Sequence, residues 1–293
     1  MRIVDLCPAC SGPCPEMVAS LDEKSAIRFS QFDNLKYGGT LSGWIDSIPP
    51  IVLRCGRCGH SWYQNQPEQH QLSTMYSMGR SLKLGIIASR EPTPHMRKEM
   101  RLLRGMVDGG KGPTSMLDFG SGSGRWSRAA VLEGFLVTAY EPSVERGSES
   151  HAPFELVHSM EELKDRKFDV IQLEQVLEHV PDVLETLWQL QQFCKPHTVL
   201  RITVPNLLRD SDGRNIWSTW PFDGEKPHFL APYEHLHGFT PKSLDCLLWR
   251  AGFKNIEFAK EGRLVASNLI RRKLGIFFPH LNSTLRYVKK IER

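Results

Sequence analysis

Apolar runs bounded by turn residues predict strands over 115–119, 135–140, 154–157, 168–173 and 198–204. Between them, helical spacing or polar stretches predict helices over 125–133, 143–149, 160–164 and 181–194. Val183, Leu184, Leu187 and Leu190 form the buried stripe of the last of these. Upstream, Met96, Met100, Leu103 and Val107 share one face of a helix over 95–107. Glu91-Pro-Thr-Pro94 cannot be helix interior and precedes it, and Gly109-Gly-Lys-Gly-Pro113 breaks it. Downstream, Thr240-Pro241 reads as an N-cap followed by proline at the first helical position. That helix buries Leu244, Leu247, Leu248 and Ala251 and stops at Gly252. Phe253 to Ala259 reads as a late strand. Alternation of strand and helix implies an α/β domain with a mostly parallel sheet.

This divides the chain into four parts. Residues 1–66 form a cysteine-bearing head, 67–112 a linker and leading helix, 113–262 the α/β domain, and 263–293 a basic tail. The 293 residues, 40% apolar and 24% charged, suit one full domain plus a smaller module. A net charge of +4 is too mild to argue for nucleic acid. No run of 18 apolar residues indicates a spanning helix, and the N-terminus lacks the apolar core of a signal peptide, so a cytoplasmic protein is expected. The tail reads as a capping helix with a solvated basic face, docking on a membrane surface being the other reading.

Cys7-Pro-Ala-Cys10 and Cys55-Gly-Arg-Cys58 form two C-x-x-C pairs. Each pair can put two thiolates on one tight turn, and two such knuckles complete a tetrahedral zinc site. Residues 11–54 lie between them, more than in a usual zinc ribbon, and must leave and return as an insertion. Cys14 and His60 are spare ligand candidates. Four thiolates leave no open position for substrate, so the site is expected to be structural.

The richest motif is Leu117-Asp-Phe-Gly-Ser-Gly-Ser-Gly124, a buried strand that ends in an acidic residue and a glycine-rich turn before a helix. Such a turn suits a nucleotide-like cofactor. A dinucleotide fingerprint wants a third glycine where Arg125 stands; here it comes one residue early, at Gly124. Glu141, at the end of the next strand, suits a ribose diol.

This combination resembles the class I S-adenosylmethionine-dependent methyltransferases. Phe168-Asp-Val-Ile-Gln-Leu-Glu-Gln-Val-Leu-Glu-His-Val180 is similar to that family's fourth strand and following turn, and 195–204 to its fifth-strand region. Glu234-His-Leu-His-Gly-Phe-Thr240 resembles a segment of the branch of ubiquinone-type and sugar methyltransferases. A zinc-binding head before a methyltransferase domain also resembles known bacterial architectures. The resemblance implies a Rossmann-like, mostly parallel seven-stranded sheet with helices on both faces. It implies that Asp118, Gly120, Gly122 and Gly124 shape the loop around the cofactor's amino-acid part, that Glu141 binds its ribose, that Ser159 and Met160 line the adenine, and that Glu174 and Gln175 face the methionine end. Methyl transfer to a small molecule or glycan, at a hydroxyl oxygen, is the function expected.

A hydroxyl acceptor calls for a general base, and His179 and His235 are the candidates. His235 and His237 are two apart in an extended loop and point to opposite sides. Some ubiquinone-type relatives bind a divalent metal with a Glu-x-x-Glu-His run; Gln175 replaces its first glutamate, so no catalytic metal is expected. The aromatics between Trp217 and Tyr233 suit either an acceptor wall or the packing of a long loop. The other functions weighed are an RNA methyltransferase gripping nucleic acid with its zinc head, opposed by the acidic run from Glu141 to Glu162, and a non-catalytic interaction module, opposed by the intact loop and Glu141.

Overall fold

The structure, a computed structural model, describes residues 1–13, 15–78, 91–107, 113–144, 152–208, 216–218, 220–253 and 284–290. In the head, β1 (Arg2–Ile3) precedes β2 (Glu16–Ser20), α1 (Glu23–Tyr37), α2 (Thr40–Ser47), β3 (Ile51–Arg54), β4 (Ser61–Tyr63) and β5 (Asn65–Gln66), and α3 (Gln69–Met78) follows it in the linker. The α/β part follows as α4 (Pro94–Gly105), β6 (Thr114–Phe119), α5 (Arg125–Leu132), β7 (Phe135–Tyr140), β8 (Glu155–Val157), β9 (Phe168–Glu174), α6 (Val183–Gln191) and β10 (Cys194–Pro205). Short β11 (Phe222–Asp223), β12 (Lys226–Pro227) and β13 (His237–Gly238) lead to α7 (Pro241–Arg250) and β14 (Thr284–Lys290).

The central sheet runs β14-β10-β9-β6-β7-β8, its five inner-to-outer strands β10 to β8 parallel and β14 antiparallel to β10. The expected seven strands are therefore corrected to six among the described residues. The sequence places the last strand at 253–259, of which all but Phe253 lies outside the described residues, as do most of the expected helix over 143–149 and Cys14. The tail supplies an edge strand, β14, where a helix was expected. Its sequence Thr-Leu-Arg-Tyr-Val-Lys-Lys mixes strand-forming residues with the cations that commonly guard a sheet edge, and those cations hid the strand pattern.

Successive strand residues face opposite sides, so each face has its own core. Leu117, Ile171 and Leu200 pack with Val183, Leu187 and Leu190 of α6 and Leu244 and Leu247 of α7. Met116, Val170 and Val199 pack on the other face with Met100 and Leu103 of α4 and Ala129 and Ala130 of α5. Thr93 caps α4 by accepting from the Met96 amide, and Thr240 and Ser243 form a reciprocal capping box on α7. No helix among the described residues is long and apolar enough to cross a membrane.

The head is joined to this body by a shared sheet. β2, β3 and β4 form an antiparallel meander, and β13 adds to it as a fourth strand beside β4. The insertion 11–54 leaves through β2 and returns through β3, with α1 and α2 between. Cys7, Ala9, Leu53, Cys55, Cys58 and Trp62 belong to the same apolar cluster as the α6–α7 face of the central sheet. A second cluster joins Phe29, Tyr37, Leu41 and Tyr63 of the head to Trp220, Phe222 and Tyr233. Those aromatics of the 217–233 stretch thus pack the loop against the head. Trp220 Nε1 and the Tyr63 hydroxyl both donate to the Leu230 carbonyl, each at 2.7 Å.

Candidate functional site

The glycine turn sits at the carboxyl ends of the parallel strands, where open α/β sheets place their ligands. Gly120, Gly122 and Gly124 all have positive φ, a region side chains rarely adopt. They differ in what a side chain would meet. A Cβ on Gly120 would lie 2.7 Å from Val176 and one on Gly124 2.6 Å from Phe154, so the fold's own packing requires these two. A Cβ on Gly122 would meet nothing within 4 Å, so this glycine leaves room beside the turn. Its amide donates to Glu141 Oε2 at 2.8 Å, and the Ser143 amide donates to Glu141 Oε1 at 3.0 Å. Glu141 is buried, and two backbone donors fix its carboxylate beside the turn. An ionised carboxylate has about four acceptor positions, so roughly two remain for a diol.

Asp118 lies beneath the turn, buried. It accepts from the Ser127 hydroxyl at 2.6 Å and from Gln172 Nε2 at 3.0 Å. Burial raises its pKa, and those two donors pull it back only in part. Gln172 Oε1 accepts from Arg201 at 3.0 Å, and the same guanidinium nitrogen donates to Glu174 at 2.5 Å. Arg201 also lies 3.6 Å from the Glu99 carboxylate and 4.5 Å from the centre of the Trp126 ring. Strand register explains the row: Asp118 is opposite Gln172, and Gln172 opposite Arg201, all on the α4–α5 face. Sequence reasoning missed Ser127, Gln172 and Arg201. The signal was present as a glutamine and an arginine inside strands that otherwise read as buried.

Around this row, Gln175 takes a left-handed conformation, φ 55°, and its amide donates to the Thr203 carbonyl at 3.0 Å. Ser159 is held by Glu162, which accepts from its amide at 2.9 Å and its hydroxyl at 3.0 Å. Met160 packs on the α6–α7 core, and the neighbouring His158 donates from Nδ1 to the Glu141 carbonyl at 2.7 Å.

The structure brings His179 and His235 together, ring centres 4.5 Å apart and nearly perpendicular. Glu178 joins them, and one ligand atom from each of the three lies within 4.8 Å of the others, close enough to share a cation. His179 donates from Nδ1 to the Glu234 carbonyl at 2.7 Å, which leaves the lone pair of the neutral ring on Nε2. Neither carboxylate oxygen of Glu178 has a hydrogen-bond partner from another residue among the described residues. Burial pushes this carboxyl up to about 8; its own backbone amide opposes the shift, and the charge of Glu174 adds to it.

Glu178 therefore makes the fold pH-sensitive. The unfolded chain releases this proton near 4.5, while the folded chain keeps it to about 8. Between those values only the folded state holds the proton, so stability is greatest below the window and falls as pH rises through it. Glu178→Gln should remove a penalty on the order of 4 kcal/mol at pH 9 and change little at pH 4. Urea unfolding at several pH values measures this; parallel curves for the two proteins would refute it.

In the head, the four cysteines converge. Cys7 Sγ lies 3.6 Å from Cys58 Sγ, Cys10 Sγ lies 3.6 Å from Cys55 Sγ, and all four sulfurs fall within 4.8 Å of one another. Four sulfurs on one tetrahedral zinc stand about 3.8 Å apart. Burial resists ionisation of Cys55, but the amides of Cys58 and Arg57 outweigh it and bring the thiol down to about 7. Each knuckle closes on itself: the Ser11 amide donates to the Cys7 carbonyl and the Gly59 amide to the Cys55 carbonyl, both at 2.8 Å. His60 turns away from the sulfurs and bonds His237 instead.

A family model described as a methyltransferase domain matches residues 94–258. Among solved structures, a SAM-dependent methyltransferase from Archaeoglobus fulgidus is 18% identical, covering 69% of this chain and 94% of its own, with a TM-score of 0.44. The 1,6-didemethyltoxoflavin-N1-methyltransferase of Burkholderia thailandensis is 16% identical, covering 83% and 96%, with a TM-score of 0.49. An S-adenosylmethionine-dependent methyltransferase from Mesorhizobium loti is 19% identical, covering 66% and 96%, with a TM-score of 0.44. No curated protein sequence matches the chain. The family match takes in more than half of the chain and holds the glycine turn, Glu141 and the Glu178–His179–His235 cluster, and on it the chain belongs to the methyltransferase-domain family.

Proposed function

We propose that the chain transfers a methyl group from S-adenosylmethionine to a hydroxyl oxygen of a small molecule or glycan, and that a structural zinc ion is held by Cys7, Cys10, Cys55 and Cys58. The observation that carries the cofactor reading is the Glu141 carboxylate, buried and bonded to the Gly122 amide at 2.8 Å, beside the one glycine of the turn that faces open space.

When bound, the cofactor supplies a methyl group already activated on a sulfonium. Glu141 would take the ribose hydroxyls, and the turn at Gly120, Gly122 and Gly124 would surround the amino-acid part. Asp118 would hold the turn from below, through Ser127 at the start of α5. Ser159 and Met160 would line the adenine. Glu174 and Gln175 would face the methionine end, with Arg201 keeping Glu174 in place. Two carboxylates, Glu174 and Glu99, lie against the buried Arg201 there, which leaves the neighbourhood hospitable to a cationic ligand. At the acceptor end, His179 or His235 would take the hydroxyl proton as the new bond forms. The chain's main contribution is to align acceptor and donor and keep water out.

Calorimetry with S-adenosylmethionine and S-adenosylhomocysteine tests the cofactor reading, and absence of binding would end it. Transfer of labelled methyl to hydroxyl-bearing acceptors tests the rest. Labelling of amines or RNA, with alcohols and glycans untouched, would replace the hydroxyl reading.

A further inference from the structure

The cysteine head touches the acceptor end of the site through a continuous set of short contacts. The second knuckle runs directly into β4, and β13 pairs with β4, placing His237 opposite Trp62 and Gly238 opposite Ser61. The Thr240 hydroxyl donates to the Cys58 carbonyl at 2.8 Å. Between the two segments, His60 Nε2 and His237 Nδ1 lie 3.2 Å apart, and both rings are buried. His237 Nε2 is 3.1 Å from the Val180 carbonyl, so its proton sits there and its Nδ1 accepts from His60. On the far side, the Glu178 carbonyl accepts from the amides of Leu236, at 2.6 Å, and His237, at 3.2 Å. The Glu234 carbonyl in turn accepts from His179. The segment 234–240 is therefore fastened on one side to the knuckle of Cys55 and Cys58 and on the other to residues 178–180.

We propose that the head orients the acceptor end of the methyltransferase site, with His60 and His237 as positioning residues for Glu178, His179 and His235. The proposal rests on the reading of those three as the acceptor end. The physical case is one of directed bonds. Packing alone lets a loop slide, whereas an imidazole pair in which both N–H donors have an acceptor, His60 to His237 and His237 to Val180, favours one relative position of the two strands. His60 is also stacked between Trp62, ring centres 5.9 Å apart, and His237, at 5.3 Å, with Phe239 at 4.9 Å, so it has little freedom to turn. A head serving only for stability would need none of these polar links to the segment that carries His235.

Amide hydrogen exchange on the full, metal-loaded chain tests this, in wild type, His60→Ala and His60→Gln. In His60→Ala, protection should fall about tenfold or more over 176–180 and 234–240, as expected for losing one buried hydrogen bond. It should stay unchanged over 116–124. Zinc content should hold, and S-adenosylhomocysteine should bind within about twofold of wild type, since the turn is a separate site. His60→Gln keeps an N–H donor and should restore most of the protection. Should His60→Ala fail to fold, His237→Phe keeps ring volume while removing both bonds, and the same local loss is expected. Wild-type protection at 234–240 in these variants would overturn the proposal. So would a loss spread equally over 116–124, or a His60→Gln variant no better than alanine. A wild-type chain that binds no S-adenosylhomocysteine yet shows the expected exchange pattern would instead overturn the cofactor reading.

Discussion

Glu141→Ala is expected to lower the affinity for S-adenosylhomocysteine by about a hundredfold or more. A hydrogen bond to a charged group is worth about 1.5–3 kcal/mol, and a ribose diol would make two with this carboxylate. The loss goes beyond the ligand contacts. The Gly122 and Ser143 amides, now held at 2.8 and 3.0 Å, would lose their acceptor, and the turn its brace. Glu141→Gln keeps one acceptor oxygen and should fall between alanine and wild type. Titration calorimetry reads both, and wild-type affinity in the alanine variant would refute the ribose role. Thermal melting without ligand separates the two contributions, because only the brace acts on the empty protein.

The second large effect concerns the head. The purified chain should carry about one zinc ion, and Cys55→Ser or a strong chelator should remove it and lower the melting temperature by about 10 °C or more. The size follows from where the sulfurs sit. Cys7, Cys55 and Cys58 are nearly inaccessible and share an apolar cluster with Trp62, Phe239 and Leu244. Without the ion, four thiols within 4.8 Å of one another would be held only by weak S–H···S contacts, or would separate and open that cluster. Metal analysis together with calorimetric melting checks this. A metal-free chain that melts as the wild type does would refute it.

Much of the central sheet could be read from periodicity, because each of its five parallel strands pairs an apolar run with a nearby turn. The glycine turn was legible for the same reason: positive φ and close packing at Gly120 and Gly124 leave few residue types to choose from. What escaped were relations between strands. Arg201, Gln172 and Asp118 form one row only because register sets them side by side, and register is a property of the folded sheet. The opposite directions of His235 and His237 followed from strand alternation. That His237 faces His60, 177 positions away, could not be inferred from either segment. The strand at Thr284–Lys290 was obscured because its charges suit a helix face as well as a sheet edge.

The pairing of β13 with β4 also bears on how the chain comes into being. The head is made before the segment that completes its sheet, with His237 177 positions downstream of His60. At about 5–20 residues per second, roughly ten to thirty seconds separate the two. For that interval the edge of β4 would lack its partner strand and could pair with strands of other chains, and the four thiols would be open to oxidation. Early metal capture, or shelter by a chaperone, would be of most use in that window.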